Sequence, residues 1–156
     1  MGLSVGQIAP DFTLPSQDGE LVHLAEHRGQ VVVLFFYPKD DTPGCTKEAC
    51  SFRDLAPEFA RAGTAVYGIS RDSIQSHQKF VRKYELTMPL LADVDSVVCE
   101  AYDVLKEKNN YGKVSVGVER TTYIIDALGH VARVFPKVKV DGHAQAVLHE
   151  VHLLTV

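Results

Sequence analysis

No apolar run in this 156-residue sequence approaches the ~20 residues that span a bilayer, and the opening MGLSVGQIAP has neither the charged nor the long apolar part of a signal peptide. Position 6 is Gly6 where a myristoylation signal wants Ser or Thr, so the Gly2 start offers no lipid anchor. A basic stripe is also missing: the formal charge is -4 and the signs are mixed along the chain, which argues against a nucleic-acid partner. Linkers, repeats and low-complexity tracts are absent, and at 46% hydrophobic and 23% charged residues the chain reads as one domain over residues 1–156. There is no Gly-rich phosphate loop after a strand and no Gly-x-Ser-x-Gly elbow. These absences read together as a cytoplasmic protein with no membrane partner. In that compartment structural disulfides are rare, and a cysteine pair is more often catalytic or metal-binding.

Cysteine itself is scarce, three residues in all, yet two of them fall five apart in YPKDDTPGCTKEAC, residues 37–50. The spacing is too wide for a Cys-x-x-Cys redox dithiol, and no second pair exists to cage a zinc. The seven histidines are scattered, and the close pair His149 and His152 reads as a solvated helix face.

The coarse element pattern is α/β. DFTLPSQDGELVHLAEH reads as an N-terminal hairpin turning at Ser16 to Gly19, with Pro15 marking an edge. VVVLFFY, residues 31–37, lacks alternation, as expected of a mid-sheet strand covered on both faces. Thr42 to Ala62 carries apolar residues at helical spacing and stops at Gly63. TAVYGIS, SIQSHQKFVRKYE and MPLLADV continue a βαβαβ order that implies a largely parallel sheet. SVVCEAYDV is a short helix, KEKNNYGKVSVGV a polar loop, ERTTYIID and VARVFPKV a second hairpin, and HAQAVLHEVHLL a closing amphipathic helix.

Within TPGC, Thr42 suits a helix N-cap and Pro43 the first helical position, so Cys45 falls in the first turn. Amides there have no intrahelical acceptor and the helix dipole is positive, both of which favour a thiolate nucleophile. A small half-buried apolar residue is the plain alternative for Cys45, and core packing is the plain reading of Cys50 and of Cys99 in DSVVCEAYDV.

The residues Pro38-Lys-Asp-Asp-Thr42-Pro-Gly-Cys45 resemble the Pro-x-x-x-Thr-x-x-Cys signature of peroxiredoxins, and FYPKDDTPGCTKEAC is similar to the Q-type subfamily, the bacterioferritin comigratory proteins. The likeness runs from APDFTLP through GISRD and ERTTYIID to the final helix. It implies a thioredoxin-like α/β fold, a central mixed sheet flanked by helices with an N-terminal β-hairpin extension. It further implies that Cys45 is oxidised by peroxide to sulfenic acid and that Cys50 condenses with it to a disulfide. By the same resemblance Pro38 and Thr42 match residues that shield the site and bond the peroxide, Arg120 the arginine that completes it, and Glu48 a glutamate that orients the arginine. Glu48 as a surface helix residue and Arg120 as an exposed strand charge are the alternatives without the family.

The implied reaction is reduction of hydrogen peroxide or small alkyl hydroperoxides by a monomer. Thioredoxin or a similar dithiol restores the enzyme, and no metal, haem or flavin takes part. A peroxide-responsive redox sensor or thiol-dependent binding protein is the rival. On a regular helix five residues separate Cα atoms by roughly 8.7 Å on different faces, whereas a disulfide needs them within roughly 7 Å. The helix must therefore unwind for that pairing. Pro57, which removes the helical bond to the Arg53 carbonyl, is placed to separate a short segment able to do so.

Overall fold

In the computed structural model, which describes residues 3–155, β1 (Thr13–Pro15) and β2 (Leu21–His23) pair antiparallel as the expected N-terminal hairpin. Met1, Gly2 and Val156 lie outside the described residues, and the Gly2 start with them. A 3-10 turn at Leu24–His27 then leads into β3 (Val32–Phe36), the middle strand of a five-stranded sheet. β4 (Ala65–Ser70) and β5 (Leu90–Ala92) run parallel to it on one side. On the other side β8 (Thr121–Ile125) pairs antiparallel with β3 and β9 (Val131–Phe135) antiparallel with β8, so the order is β5-β4-β3-β8-β9. The sheet is mixed rather than largely parallel, because the tight Asp126–His130 turn joins β8 to β9 without a crossover.

Every residue of β3 is buried because both faces are covered. Val32, Leu34 and Phe36 face one core with Leu14, Val98, Cys99 and Tyr102. Val33, Phe35 and Tyr37 face a second core with Cys45, Ala49, Phe52, Phe59, Phe80 and Val147. The helices sort accordingly. α1 (Pro43–Asp54), α2 (Ala56–Arg61), α3 (Ile74–Tyr84) and α5 (His143–Thr155) supply the second core, while α4 (Val97–Ala101) and the N-terminal hairpin supply the first. On α5, His149 and His152 are exposed as expected.

The helical stretch from Thr42 to Ala62 is divided, as Pro57 allowed: the break falls at Leu55 (φ -98°, ψ 4°) between α1 and α2, and Pro57 sits in the first turn of α2, where its missing amide hydrogen costs nothing. The polar segment KEKNNYGKVSVGV is a hairpin, not a loop: β6 (Leu105–Asn110) pairs antiparallel with β7 (Lys113–Val118). Both residues of its turn, Tyr111 (φ 53°) and Gly112 (φ 82°), take the left-handed region that a tight two-residue turn demands. Lys106, Glu107 and Lys108 disguise the strand because only its base, Leu105 opposite Val118, reaches a core, and Tyr-Gly replaces the usual Asn-Gly signal. The hairpin leads directly to Arg120.

Candidate active site

α1 begins where the sequence places its signals. Thr42 is the N-cap in extended conformation (φ -101°, ψ 155°), Pro43 opens the helix, and the Thr42 carbonyl accepts the Thr46 amide at 2.8 Å. The Thr42 hydroxyl does not cap; it donates to the Lys39 carbonyl at 3.0 Å, leaving its lone pairs to accept a hydrogen from a neighbour. Cys45 is 1% exposed and packs against the Val33–Tyr37 face of the sheet. Gly44 and Cys45 sit in the first turn, where backbone amides have no intrahelical acceptor. Pro38 is partly buried in the loop between β3 and α1.

Arg120 reaches this turn from the end of the β6–β7 hairpin, 75 residues away in sequence. Its Nη2 donates to Cys45 Sγ at 3.3 Å, and its Nη1 donates to Glu48 Oε1 at 2.7 Å. One planar guanidinium therefore holds a sulfur and a carboxylate that sit three residues apart on the same helix face. The arginine is not an exposed strand charge, nor is Glu48 a surface glutamate: their side chains are 16% and 1% exposed. Burial opposes the charge on Arg120, but Glu48 and Cys45 outweigh it and raise its pKa.

For Glu48 the balance goes the other way. Burial pushes its carboxyl up to about 7 despite the opposing pull of Arg120. Its Oε2 has no hydrogen-bond partner, and His143 Nε2 lies 4.0 Å from it.

The loop carrying Pro38 and Thr42 is pinned from beneath. Asp40 accepts from the Tyr37 hydroxyl (2.6 Å) and the Ser76 hydroxyl (2.8 Å), lies 2.7 Å from His77 Nδ1, and donates its own amide to Asp72 at 2.9 Å. Beside it Asp41, at φ 57°, accepts from Lys83 Nζ and the Tyr84 hydroxyl, both at 2.8 Å. α3 thus fixes the loop that presents α1.

The structure brings Cys45, Thr42, Glu48 and Arg120 around one turn, with Pro38 in the adjoining loop. Cys50, a free thiol in this structure, stands partly buried one and a half turns further along α1. Cys99 is excluded from the group. It is fully buried in the opposite core, and burial followed by the nearby Asp93 carboxylate pushes its thiol pKa up.

Sequence reasoning missed three contributors. A Cβ on Gly44 would stand 3.1 Å from Arg120 Nη2, so the glycine of TPGC makes room for the guanidinium. The Asp40 anchor pairs residues 37 positions apart, and His143 approaches Glu48 from the last helix; neither leaves a local pattern to read.

The chain is also similar to known proteins. The AhpC/TSA family model matches residues 5–134. The peroxiredoxin Bcp candidate of Coxiella burnetii is 53% identical over 148 residues, 95% of this chain and 98% of that protein. Peroxiredoxin Bcp of Bacillus subtilis is 45% identical over 148 residues, 95% of this chain and 94% of its own. Among solved structures, the bacterioferritin comigratory protein of Xanthomonas campestris, described for its alkyl peroxide reduction activity, superposes with a TM-score of 0.93. It is 41% identical and covers 98% of this chain and 100% of its own.

Proposed function

The chain belongs to the AhpC/TSA family, in its peroxiredoxin Q or bacterioferritin comigratory protein branch, and is a thiol-dependent peroxidase of thioredoxin-like fold; on that premise we propose that Cys45 is the peroxide-reducing nucleophile and Cys50 its resolving partner. The observation that carries the site assignment is the Arg120 fork, with one nitrogen on Cys45 Sγ and the other on the buried Glu48.

The Cys45 thiolate attacks the distal oxygen of the hydroperoxide, the O–O bond breaks, and the alkoxide or hydroxide that leaves takes up a proton to become alcohol or water. Sulfur is oxidised to sulfenic acid and the peroxide is reduced by two electrons. A thiolate of lowered basicity is also a weaker nucleophile, so speed depends on donors that meet the charge developing across the O–O bond. Arg120 and the first-turn amides at Gly44 and Cys45 are placed to do this. The Thr42 hydroxyl, already donating to Lys39, serves by accepting the peroxide hydrogen and so orients the distal oxygen toward sulfur. Pro38 shields the turn without offering an amide hydrogen of its own.

The Cys50 thiolate then attacks the sulfenic sulfur, the S–O bond breaks, the hydroxide that leaves takes up a proton to become water, and an external dithiol returns the disulfide to two thiols while being oxidised to its own disulfide. We assign that dithiol to thioredoxin and the protein to the cytoplasm, and, since both cysteines lie on α1 of one chain, we assign the cycle to a monomer. No helix among the described residues is long and apolar enough to cross a membrane.

Peroxide-dependent NADPH oxidation, with thioredoxin and its reductase or a glutaredoxin system supplied in turn, tests the proposal. Sustained turnover with the thioredoxin system is expected, and none with Cys45→Ser. Substantial turnover in Cys45→Ser would refute the nucleophile, turnover with glutaredoxin alone would replace the donor, and consumption ending at one equivalent would point to a redox sensor.

A further inference from the structure

Glu48 Oε2 is a carboxylate oxygen in a residue 1% exposed, without a hydrogen-bond partner, and it looks toward one ring nitrogen. That nitrogen, His143 Nε2, lies 4.0 Å away, too far for a hydrogen bond and too close for a water to fit in line between them. It stands 2.8 Å from the hydroxyl of Thr122, a fully buried residue of β8. The His143 ring is held edge-on between Phe52 of α1 and Phe135 of β9, so its freedom is restricted to small rotations in a walled slot. A single ring nitrogen therefore stands between a bare carboxylate oxygen and a hydroxyl that is hydrogen-bonded to it.

Resting on the peroxidase reading above, we propose that His143 is a positioning residue for Arg120: its Nε2–H serves the second oxygen of Glu48 and so keeps the carboxylate ionised against the guanidinium that lies on Cys45. The groups around this carboxylate are few. Arg120 faces it from the β8 side, His143 from α5 and Cys45 from its own helix, while the Lys47–Asp141 ion pair lies at the exposed rim.

His143 is suited to be a neutral donor rather than a second cation. Burial, and then the positive charge of Arg120, lower its pKa to about 4. Neutral imidazole carries one ring hydrogen. With that hydrogen on Nε2 it is given either to Thr122 or to Glu48, and a carboxylate is the stronger acceptor. When the ring turns to Thr122, Glu48 Oε2 is left bare, protonation of Glu48 is favoured, and Arg120 Nη1 exchanges an ionic partner for a neutral one.

Three variants test this through the rate of Cys45 oxidation by hydrogen peroxide, measured in single turnovers over a range of pH with the thiolate absorbance of Cys45 followed in parallel. His143→Leu should slow oxidation about tenfold near neutral pH and move the acid limb of the rate profile upward by about one pH unit, with the thiolate titration unmoved. His143→Gln, whose amide nitrogen reaches the Nε2 position, should restore most of the rate and the limb. Thr122→Val, which removes the competing hydroxyl, should move the limb the opposite way. In a Glu48→Gln background, replacing His143 by Leu should have no further effect on the profile.

Equal limbs in the wild type, His143→Leu and Thr122→Val would overturn the inference, as would an effect of His143→Leu that survives in Glu48→Gln. Should His143→Leu not fold, the Gln and Val variants decide by the direction of their shifts. A wild type that does not oxidise Cys45 at all would instead defeat the peroxidase site itself.

Discussion

Glu48 is buried in contact with a cation, yet burial wins and its carboxyl is held at about 7 against an ordinary 4.5. The folded protein therefore binds this proton more tightly than the unfolded chain does. Its contribution favours folding at low pH and is lost as pH rises from about 4.5 to about 7. Glu48→Gln, which cannot ionise, should gain on the wild type by up to about 3 kcal/mol across that window, read from denaturant midpoints at several pH values. A gap that stays constant or shrinks as pH rises would contradict the burial argument.

Arg120 acts by shape as much as by charge. Arg120→Lys keeps the cation but cannot touch Cys45 Sγ and Glu48 together, and Cys45 oxidation should fall by about 100-fold or more, with reduction of a preformed disulfide by thioredoxin largely spared. Oxidation kinetics like those of the wild type would remove Arg120 from the site. Gly44→Ala makes a finer test. Its Cβ would stand 3.1 Å from Nη2, so the guanidinium must give way by a few tenths of an ångström, and a drop of about tenfold in the same rate is expected.

At the scale of the element, the proposed cycle asks α1 to hold Cys45 ready and then to release it. Cys45, Glu48 and Ala49 are all buried, so unwinding the first turns exposes them and breaks the Arg120 contacts. The far end is fastened: Phe52 stacks on Phe35 with ring centroids 4.6 Å apart, and Arg53 donates to the Tyr84 carbonyl at 2.6 Å. The near end is fastened through Asp40 to α3. Unwinding is thereby confined to the stretch between, and the break at Leu55 shields α2 from it.

Hydrogen exchange should show amides from Cys45 to Arg53 losing protection in the Cys45–Cys50 disulfide form, with α2 and α3 unchanged. Equal protection of that stretch in both forms, with the disulfide verified by mass, would reject the gate. A slow gate leaves the sulfenic acid open to a second peroxide. Phe52→Ala should loosen the far fastening, reducing over-oxidation of Cys45 while costing about 3–5 kcal/mol of stability. Unchanged over-oxidation in a folded Phe52→Ala protein would show that the far end does not limit release.

At the scale of the whole molecule, the sheet is a partition. Cys45 belongs to the core on one face of β3 and Cys99 to the core on the other. Backbone amides of Val98 and Cys99 both donate to Asp93, at 3.2 and 2.7 Å, which fixes α4 and the cysteine with it. No thiol exchange can cross a layer of paired strands without unfolding it. Cys99→Ser should keep thioredoxin-linked turnover within a few-fold, and Cys99 should resist alkylation in the native protein; near-complete loss of turnover would give it a redox role after all.

The start of α1 was legible in the sequence because capping is local: an extended Thr42, a proline without an amide hydrogen and a cysteine two residues later interact within a single turn. The burial of β3 was legible because its uninterrupted apolar run has no polar face to offer water. The β6–β7 hairpin was not, since beyond Leu105 and Val118 at its base its pairing rests on backbone bonds and a tight turn rather than on a buried face. Tertiary structure alone decided what surrounds the sulfur. Arg120 stands 75 residues from Cys45, and His143 lies on the last helix beside Glu48. Sequence by itself singled out Cys45, Thr42, Glu48 and Arg120 as candidates for the chemistry; only folding determined which residues share a low-dielectric space, where charge and hydrogen bonds act strongly enough to matter.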